Sequence, residues 1–284
     1  MHVMRARYAA AAAAAALCAL APFGAARADQ KTVLLDDLPD RLGQFEVSPD
    51  GGRLYFAAGS AFLVFDAEGR LVDRYGAPTA TRELVPLPGG WFLAALTHAR
   101  GQLASYRPDG TLAKTLVGRG NRPQQLRADM TGWTSPTGLA VDAAAGRAFA
   151  VDTTMAPRDD RNLPDPDWSR IAVFDLEGKY LGEINAYSAY AADAKDNDAR
   201  RTWYSDIEVD PARRRVYVTS RRTRELIAFD YDGKELARIA GPGNAIAVFP
   251  DGRVAVSGGD GYHGDPTIQV YDAELKPLRA VTAQ

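Results

Sequence analysis

The sequence predicts an all-β fold of repeated four-stranded antiparallel units, because a repeated segment, alternating hydrophobicity and tight-turn residues recur together. Five segments each contain a short apolar strand, a turn rich in Pro, Asp or Gly, and a second strand; they begin at Gln44, Glu83, Gly138, Asp206 and Ala245. A second hairpin follows each of these segments. Four strands per unit, repeated in order along a chain, are typical of a β-propeller.

The second hairpins carry the strongest local signal. "FLVFDAEGRLVDRY" and "LIAFDYDGKELARI" place Glu-Gly or Asp-Gly between alternating strands; "QLASYRPDGTLAKTL" and "RIAVFDLEGKYLGEI" do the same, and "IQVYDAELKPLRAV" is the fifth second hairpin. Glycine accepts the positive φ angle that tight hairpin turns require. An irregular sandwich is the alternative fold, but a sandwich does not require one unit to recur in order.

The spacing of the repeats predicts five blades with insertions between the middle ones. The five starts are 39, 55, 68 and 39 residues apart. The segment "KTVLLDDL" at residues 31–38 is an additional strand candidate. It either closes the ring or belongs to a degenerate sixth blade.

The N-terminus has the three-part pattern of a secretory signal peptide. Arg5 and Arg7 precede an apolar run over residues 9–20, and a small-residue triplet ends at Ala28. This pattern predicts cleavage after Ala28, which leaves a single propeller domain over residues 29–284. The only cysteine, Cys18, lies in the signal. We therefore expect a secreted or periplasmic protein without disulfides.

The charge balance of the mature chain indicates which partners to expect. Residues 29–284 contain 31 basic and 36 acidic residues. A mildly acidic chain without a basic run argues against nucleic acid as a partner, and we expect no membrane insertion after signal cleavage. The sequence contains no GxSxG, HExxH or GxxxxGK motif, so familiar hydrolase and nucleotide chemistries have little support.

The blade segments resemble a known group of secreted propellers. "GLAVDAAAGRAFAVD" with "RIAVFDLEGKYLGEI", and "GRGNRPQQL" preceding "SPTGLAVD", are similar to NHL-repeat and YncE-like propellers. The resemblance extends over nearly the whole mature chain at the level of the repeat. It implies the fold and leaves the function open, because these groups include both binding scaffolds and enzymes.

Repeat alignment predicts a candidate site at one end of the central channel. In a propeller blade, the innermost strand begins at one face, and the loop between the second and third strands returns to that face. The strand starts and the residues before them are therefore expected to converge, together with two loop histidines. These ligand-binding candidates are Gln44, Arg82, Glu83, Thr137, Asp206, Asn244, His98 and His263.

Three insertions are expected at the same face, at about residues 118–136, 153–169 and 186–205. They contain Trp133, Trp168 and Trp203, and Tyr204 accompanies them. Long loops on a rigid scaffold often carry function, and linkers without function are poor in aromatic residues. We interpret the insertions as a folded cap that lines a ligand pocket. In the alternative, the tryptophans only anchor the insertions on the propeller rim.

The favoured function is binding of a small polar ligand or an extracytoplasmic protein at the capped face. An alternative is a divalent-metal-dependent lactonase or ester hydrolase that resembles gluconolactonase-like propellers. In that resemblance an acidic residue, an asparagine and an aspartate hold a cation such as calcium. Asp206 matches the aspartate, while Thr137 stands where asparagine is expected and Glu83 or Asn244 would substitute. A second alternative is a structural scaffold for an envelope protein complex.

Overall fold

The computed structural model describes residues 45–48, 50–58, 61–76, 81–96, 102–117, 136–154, 168–184, 204–220, 224–241, 245–257 and 267–282. These residues form five four-stranded antiparallel sheets, and the strands of each sheet follow one another in chain order. The predicted all-β fold with five four-stranded antiparallel blades is therefore confirmed. The predicted signal peptide and the additional strand candidate at residues 31–38 lie outside the described residues.

The blades are numbered along the chain. Blade 1 consists of β1 (Phe45–Val47), β2 (Arg53–Ala58), β3 (Ala61–Asp66) and β4 (Leu71–Gly76). Blade 2 consists of β5 (Thr81–Pro86), β6 (Phe92–Leu96), β7 (Gln102–Tyr106) and β8 (Leu112–Val117), with one 3₁₀ turn at Pro88–Gly90. Blade 3 consists of β9 (Pro136–Asp142), β10 (Arg147–Thr154), β11 (Trp168–Asp175) and β12 (Tyr180–Ile184).

Blade 4 consists of β13 (Tyr204–Asp210), β14 (Arg215–Ser220), β15 (Glu225–Asp230) and β16 (Glu235–Ala240). Blade 5 consists of β17 (Ile246–Val248), β18 (Val254–Ser257), β19 (Thr267–Tyr271) and β20 (Pro277–Thr282). The described residues form two compact units: unit 1 contains those up to Ala94 and those from Ala104 to Lys114, and unit 2 contains those from Ala95 to Leu103 and those from Thr115 onward.

Aromatic side chains form much of the core of unit 1. The ring of Phe62 meets those of Phe92 and Tyr106 edge to face, at centroid distances of 5.0 and 5.1 Å. Phe92 and Tyr106 stack with their rings almost parallel. All three side chains are at most 1% exposed. Such rings bury large apolar areas and add about 0.5 to 1.5 kcal/mol per aromatic pair.

Alternation along the strands of blade 4 places two different cores on its two faces. Val216 and Val218 of β14 belong to one buried cluster that also contains Phe149 and Val151 of blade 3. Tyr217, between these valines, belongs to a second cluster that contains residues of blade 5. Successive side chains of a strand point to opposite faces, so the period of two in the sequence produces this division.

In each blade, the hairpin between the third and fourth strands has the same type of turn. In blade 3, Asp175 accepts hydrogen bonds from the amides of Glu177 and Lys179 at 3.1 and 2.7 Å, and Gly178 has a φ of 89°. In blade 5, Leu275 takes the place of the glycine with a φ of 63° and is 1% exposed. Burial of the leucine offsets the cost of the left-handed backbone at that position.

Candidate functional site

Asp206 is buried near the start of β13 and connects blade 4 to blade 5. Its side chain is on the face of the strand opposite to Ile207, which belongs to the core shared with blade 3. One carboxylate oxygen, Oδ1, accepts the Ile207 amide at 3.0 Å. The other, Oδ2, accepts the amide of Ile246, the first residue of β17, at 2.8 Å. The carboxylate therefore satisfies a backbone donor of the next blade.

Polar residues flank Asp206 at the open end of the β13–β14 strand pair, away from its connecting turn. Thr219 of β14 is the register partner of Asp206, and Ser220 is the partner of Tyr204. Thr219 and Ser220 are both fully buried. Buried polar side chains are costly unless they are hydrogen-bonded, so this end of blade 4 is a polar region held inside the fold.

Glu208 is a second carboxyl group on the same face of β13 as Asp206, since the two positions differ by two residues. It is half-buried. Burial and the neighbouring charge of Asp206 raise the pKa of Glu208 from 4.5 to about 8. Within the described part of the chain, no lysine or arginine pairs with Glu208. At neutral pH we therefore expect this side chain to carry a proton for most of the time.

We expect the stability of the protein to fall as the pH rises from about 5 to about 8 because of Glu208. The folded protein keeps a proton on Glu208 in this interval, while the unfolded chain, with a pKa of 4.5, has released it. The stabilisation is thus fully present below pH 4.5 and is lost as the pH passes the folded-state pKa. Thermal unfolding of wild type and Glu208→Gln across this interval measures the effect.

The Glu208→Gln variant should show a flatter pH dependence and a higher Tm than wild type near pH 8, where the wild-type carboxyl group ionises. Glu177→Gln, at an exposed turn of blade 3, is the matched control and should keep the wild-type slope. Equal slopes in wild type and Glu208→Gln would contradict the assignment.

Glu83 occupies the position in blade 2 that Asp206 occupies in blade 4. It lies in β5, is 2% exposed, and is two residues from the buried Thr81. Unit 1 therefore also has a buried acidic side chain near the start of an inner strand. Both acids were predicted from the repeat alignment to stand at strand starts, and both are in β-strands.

The structure locates the other predicted site residues to different extents. Tyr204 is fully buried in the core cluster that contains Ile207. Arg82, Thr137 and Trp168 lie in β5, β9 and β11, and only their backbone is described. The remaining candidates lie outside the described residues: Gln44, His98, Trp133, Trp203, Asn244 and His263. Ligand binding by this set stays a prediction.

The edges of the predicted cap belong to strands. β9 begins at Pro136, β10 extends to Thr154, β11 begins at Trp168 and β13 begins at Tyr204. The interiors of the three insertions lie outside the described residues, so the folded cap stays a prediction. The predicted cation ligands Glu83 and Asp206 belong to different units, and Asn244 is outside the described residues. Among the residues that the structure describes, no three His, Cys, Asp or Glu side chains form a group that could hold a metal ion.

Glu208 was not among the predicted site residues, although the repeat contains a signal for it. Glu46 and Glu208 occupy one repeat position, where the other three repeats have Val85, Ala140 and Ala247. Burial favours the small apolar residues that the other repeats have at this position. A glutamate there, inside a short inner strand, is therefore unusual. Comparison of the repeats position by position would have identified it.

Comparison with known proteins supports the fold and does not identify a family. No family model and no curated protein matches the chain. One similar solved structure is described as "Crystal structure of Nidogen/Laminin Complex"; the similarity covers 85% of this chain and 80% of that chain, with 11% sequence identity and a TM-score of 0.60. At this identity the likeness shows the fold alone. It agrees with the predicted β-propeller, while membership of the NHL-repeat or YncE-like group stays a prediction.

The fold is compatible with a binding function, because propellers host many unrelated functions on one scaffold. In the part of the chain that the structure describes, no helix is long and apolar enough to cross a membrane.

Proposed function

We propose that the chain is an extracytoplasmic β-propeller that binds a small polar ligand or a protein partner at the end of the blades where the inner strands begin. The observation that carries this proposal is the carboxyl pair of β13. Asp206 is fixed by two backbone amides, and Glu208 beside it is half-buried with a raised pKa. An acid that is costly to ionise and is still partly accessible is a candidate recognition group.

The chemistry of the pair favours a ligand that carries an ammonium, a guanidinium or several hydroxyl groups. A neutral Glu208 both donates and accepts hydrogen bonds, which suits a polar neutral ligand. A cationic ligand would instead lower the pKa of Glu208, and the carboxyl group would release its proton on binding. The number of protons released therefore distinguishes the two kinds of ligand.

A screen of amines, sugars and basic peptides by thermal shift tests the proposal. A ligand at a hundred times its Kd should stabilise the folded protein by about 2.7 kcal/mol and raise the Tm by roughly 5 to 10 °C. The same ligand should give a clearly smaller shift with Glu208→Gln, while Glu177→Gln should behave as wild type. Calorimetry in two buffers of different ionisation enthalpy then counts the protons released.

A pull-down from the extracytoplasmic fraction tests the protein-partner form of the proposal. A partner that is retained by wild type and lost with Glu208→Gln would support binding at this end of the blades. If no ligand changes the Tm and no partner depends on Glu208, the carboxyl pair is not a binding site.

The extracytoplasmic location is a separate part of the proposal, supported by the signal-peptide pattern. We expect N-terminal sequencing of the protein recovered from a secreted or periplasmic fraction to begin at Asp29. Recovery of the chain only in the cytosol with an intact Met1 would contradict this location without affecting the binding proposal.

A further inference from the structure

Tyr231, in the turn between β15 and β16, is in contact with two arginine side chains. The Cζ atoms of Arg147 and Arg214 lie 5.7 and 5.0 Å from the centroid of its ring. Both distances are within the range of about 6 Å for a cation–π interaction. Two guanidinium groups from blades 3 and 4 are thus gathered at one aromatic ring.

The ring of Tyr231 is held in place from several directions. Its hydroxyl group donates a hydrogen bond of 2.8 Å to Asp142 Oδ2, and its ring packs against Phe149 at a centroid distance of 4.8 Å. The side chain is only 5% exposed. Tyr231 is therefore a fixed surface that orients the two guanidinium groups.

Neither Arg147 nor Arg214 forms a hydrogen bond or an ion pair through its guanidinium group within the described part of the chain. Neighbouring arginines do: Arg213 pairs with Asp210 at 3.1 Å, and Arg215 pairs with Glu274 at 3.2 Å. Arg214 is exposed and Arg147 is half-buried. The donors of both groups are therefore left for an external acceptor.

The carboxylates closest to Arg147 along the sheet are occupied by other groups. Asp142 and Asp175 are its register partners on the two neighbouring strands. Asp175 accepts two turn amides, and Asp142 accepts the amide of Ala145 in addition to the hydroxyl group of Tyr231. These acids stabilise the turns, and they reduce the local positive charge without pairing with the guanidinium group.

The backbone of Arg214 adds a second observation. The turn between β13 and β14 has a φ of 53° at Arg214, whereas the corresponding turn of blade 3 has Gly146 at a φ of 64°. In both turns a buried aspartate, Asp210 or Asp142, accepts the amide three residues further along. The turn accommodates glycine without strain, so arginine occupies a conformation that is unfavourable for its backbone. Strain of this kind often marks a functional position.

We infer that Arg147 and Arg214, oriented by Tyr231, form a binding site for an oxyanion, a carboxylate or a phosphate, on a ligand or partner. The planar guanidinium group presents several N–H donors in a geometry that matches both oxyanions. The site is at the turn that follows β13, so it lies at the other end of that strand from Asp206. It is independent of the proposed carboxyl site.

The test is an NMR titration of the mature chain that follows the arginine Nε–Hε signals. Inorganic phosphate and acetate are the two probes, at an ionic strength held constant with sodium chloride. We expect saturable shifts at Arg147 and Arg214, and the probe that binds more tightly identifies the preferred group. Arg214→Gly should weaken binding by at least about tenfold, the usual value of one charge-assisted hydrogen bond.

Two controls separate a site from general electrostatics and from unfolding. Lys276→Gln removes an exposed positive charge from the turn between β19 and β20 of blade 5 and should leave the affinity unchanged. Arg214→Gly places the residue of the blade 3 turn at this position, so relief of the backbone strain should offset the lost cation–π contact and keep the Tm without anion close to that of wild type. The inference is wrong if neither probe causes more change than chloride, or if Arg214→Gly binds as tightly as wild type.

Discussion

Gly178→Ala is expected to lower the free energy of unfolding by about 3 kcal/mol, or the Tm by roughly 6 to 12 °C. The φ of Gly178 is 89°, in the region that residues with a Cβ atom rarely adopt. A Cβ atom there would lie 2.8 Å from the carbonyl oxygen and 2.9 Å from the Cα atom of Leu116 in blade 2. The left-handed backbone costs roughly 1 to 2 kcal/mol, and overpacking adds about 1 to 3.

Gly146→Ala is the matched control for Gly178→Ala. Its φ is also positive, at 64°, but nothing lies within 4 Å of the added Cβ atom. Only the backbone cost should remain, and the loss of stability should be about 1 kcal/mol. Chemical denaturation of the two variants measures the difference, which isolates the close approach of the blade 3 turn to Leu116. Equal losses in both variants would show that the blade 3 turn accommodates the added Cβ atom beside Leu116 without overpacking.

The fold could be predicted from the sequence because each blade carries its own local signals. The turn of blade 5 illustrates how several signals act together. Leu275 replaces the expected glycine, yet Asp272 still accepts the amides of Glu274 and Lys276, at 3.0 and 2.8 Å. The aspartate and the alternating strands on either side are therefore sufficient for the turn. Several features of the sequence specify each turn, so the turn of blade 5 still forms although leucine stands where the other blades have glycine.

For the candidate site, the sequence predicts which position of the repeat each residue occupies, but it does not predict which residues of other blades it contacts. Asp206 was placed at an inner strand start, but its partner Ile246 is 40 residues further along the chain. The contact depends on how blade 5 packs against blade 4, which no local pattern encodes. The Arg147, Arg214 and Tyr231 group is similar, because its members come from the start of β10 in blade 3 and from two turns of blade 4. Such contacts between blades require the tertiary structure.

Asp206→Ala is expected to destabilise the protein by about 2 to 3 kcal/mol and to loosen the inner strand of blade 5. The variant leaves the Ile246 amide without its carboxylate acceptor in a buried position, and charge-assisted hydrogen bonds contribute about 1.5 to 3 kcal/mol each. β17 contains only three residues, so it has few other hydrogen bonds to retain it. Chemical denaturation measures the global effect, and hydrogen exchange measures the local one.

The local measurement decides whether Asp206 is chiefly a connection between blades. Loss of protection at Ile246 that exceeds the loss in β13 would show that the carboxylate holds β17 against blade 4. Asp251→Ala removes a carboxylate whose side chain is 55% exposed and should cost less than about 1 kcal/mol. Asp206→Asn keeps one acceptor oxygen and should fall between alanine and wild type. Unchanged protection at Ile246 in Asp206→Ala would mean that packing alone positions β17, and Asp206 would then be available for a ligand.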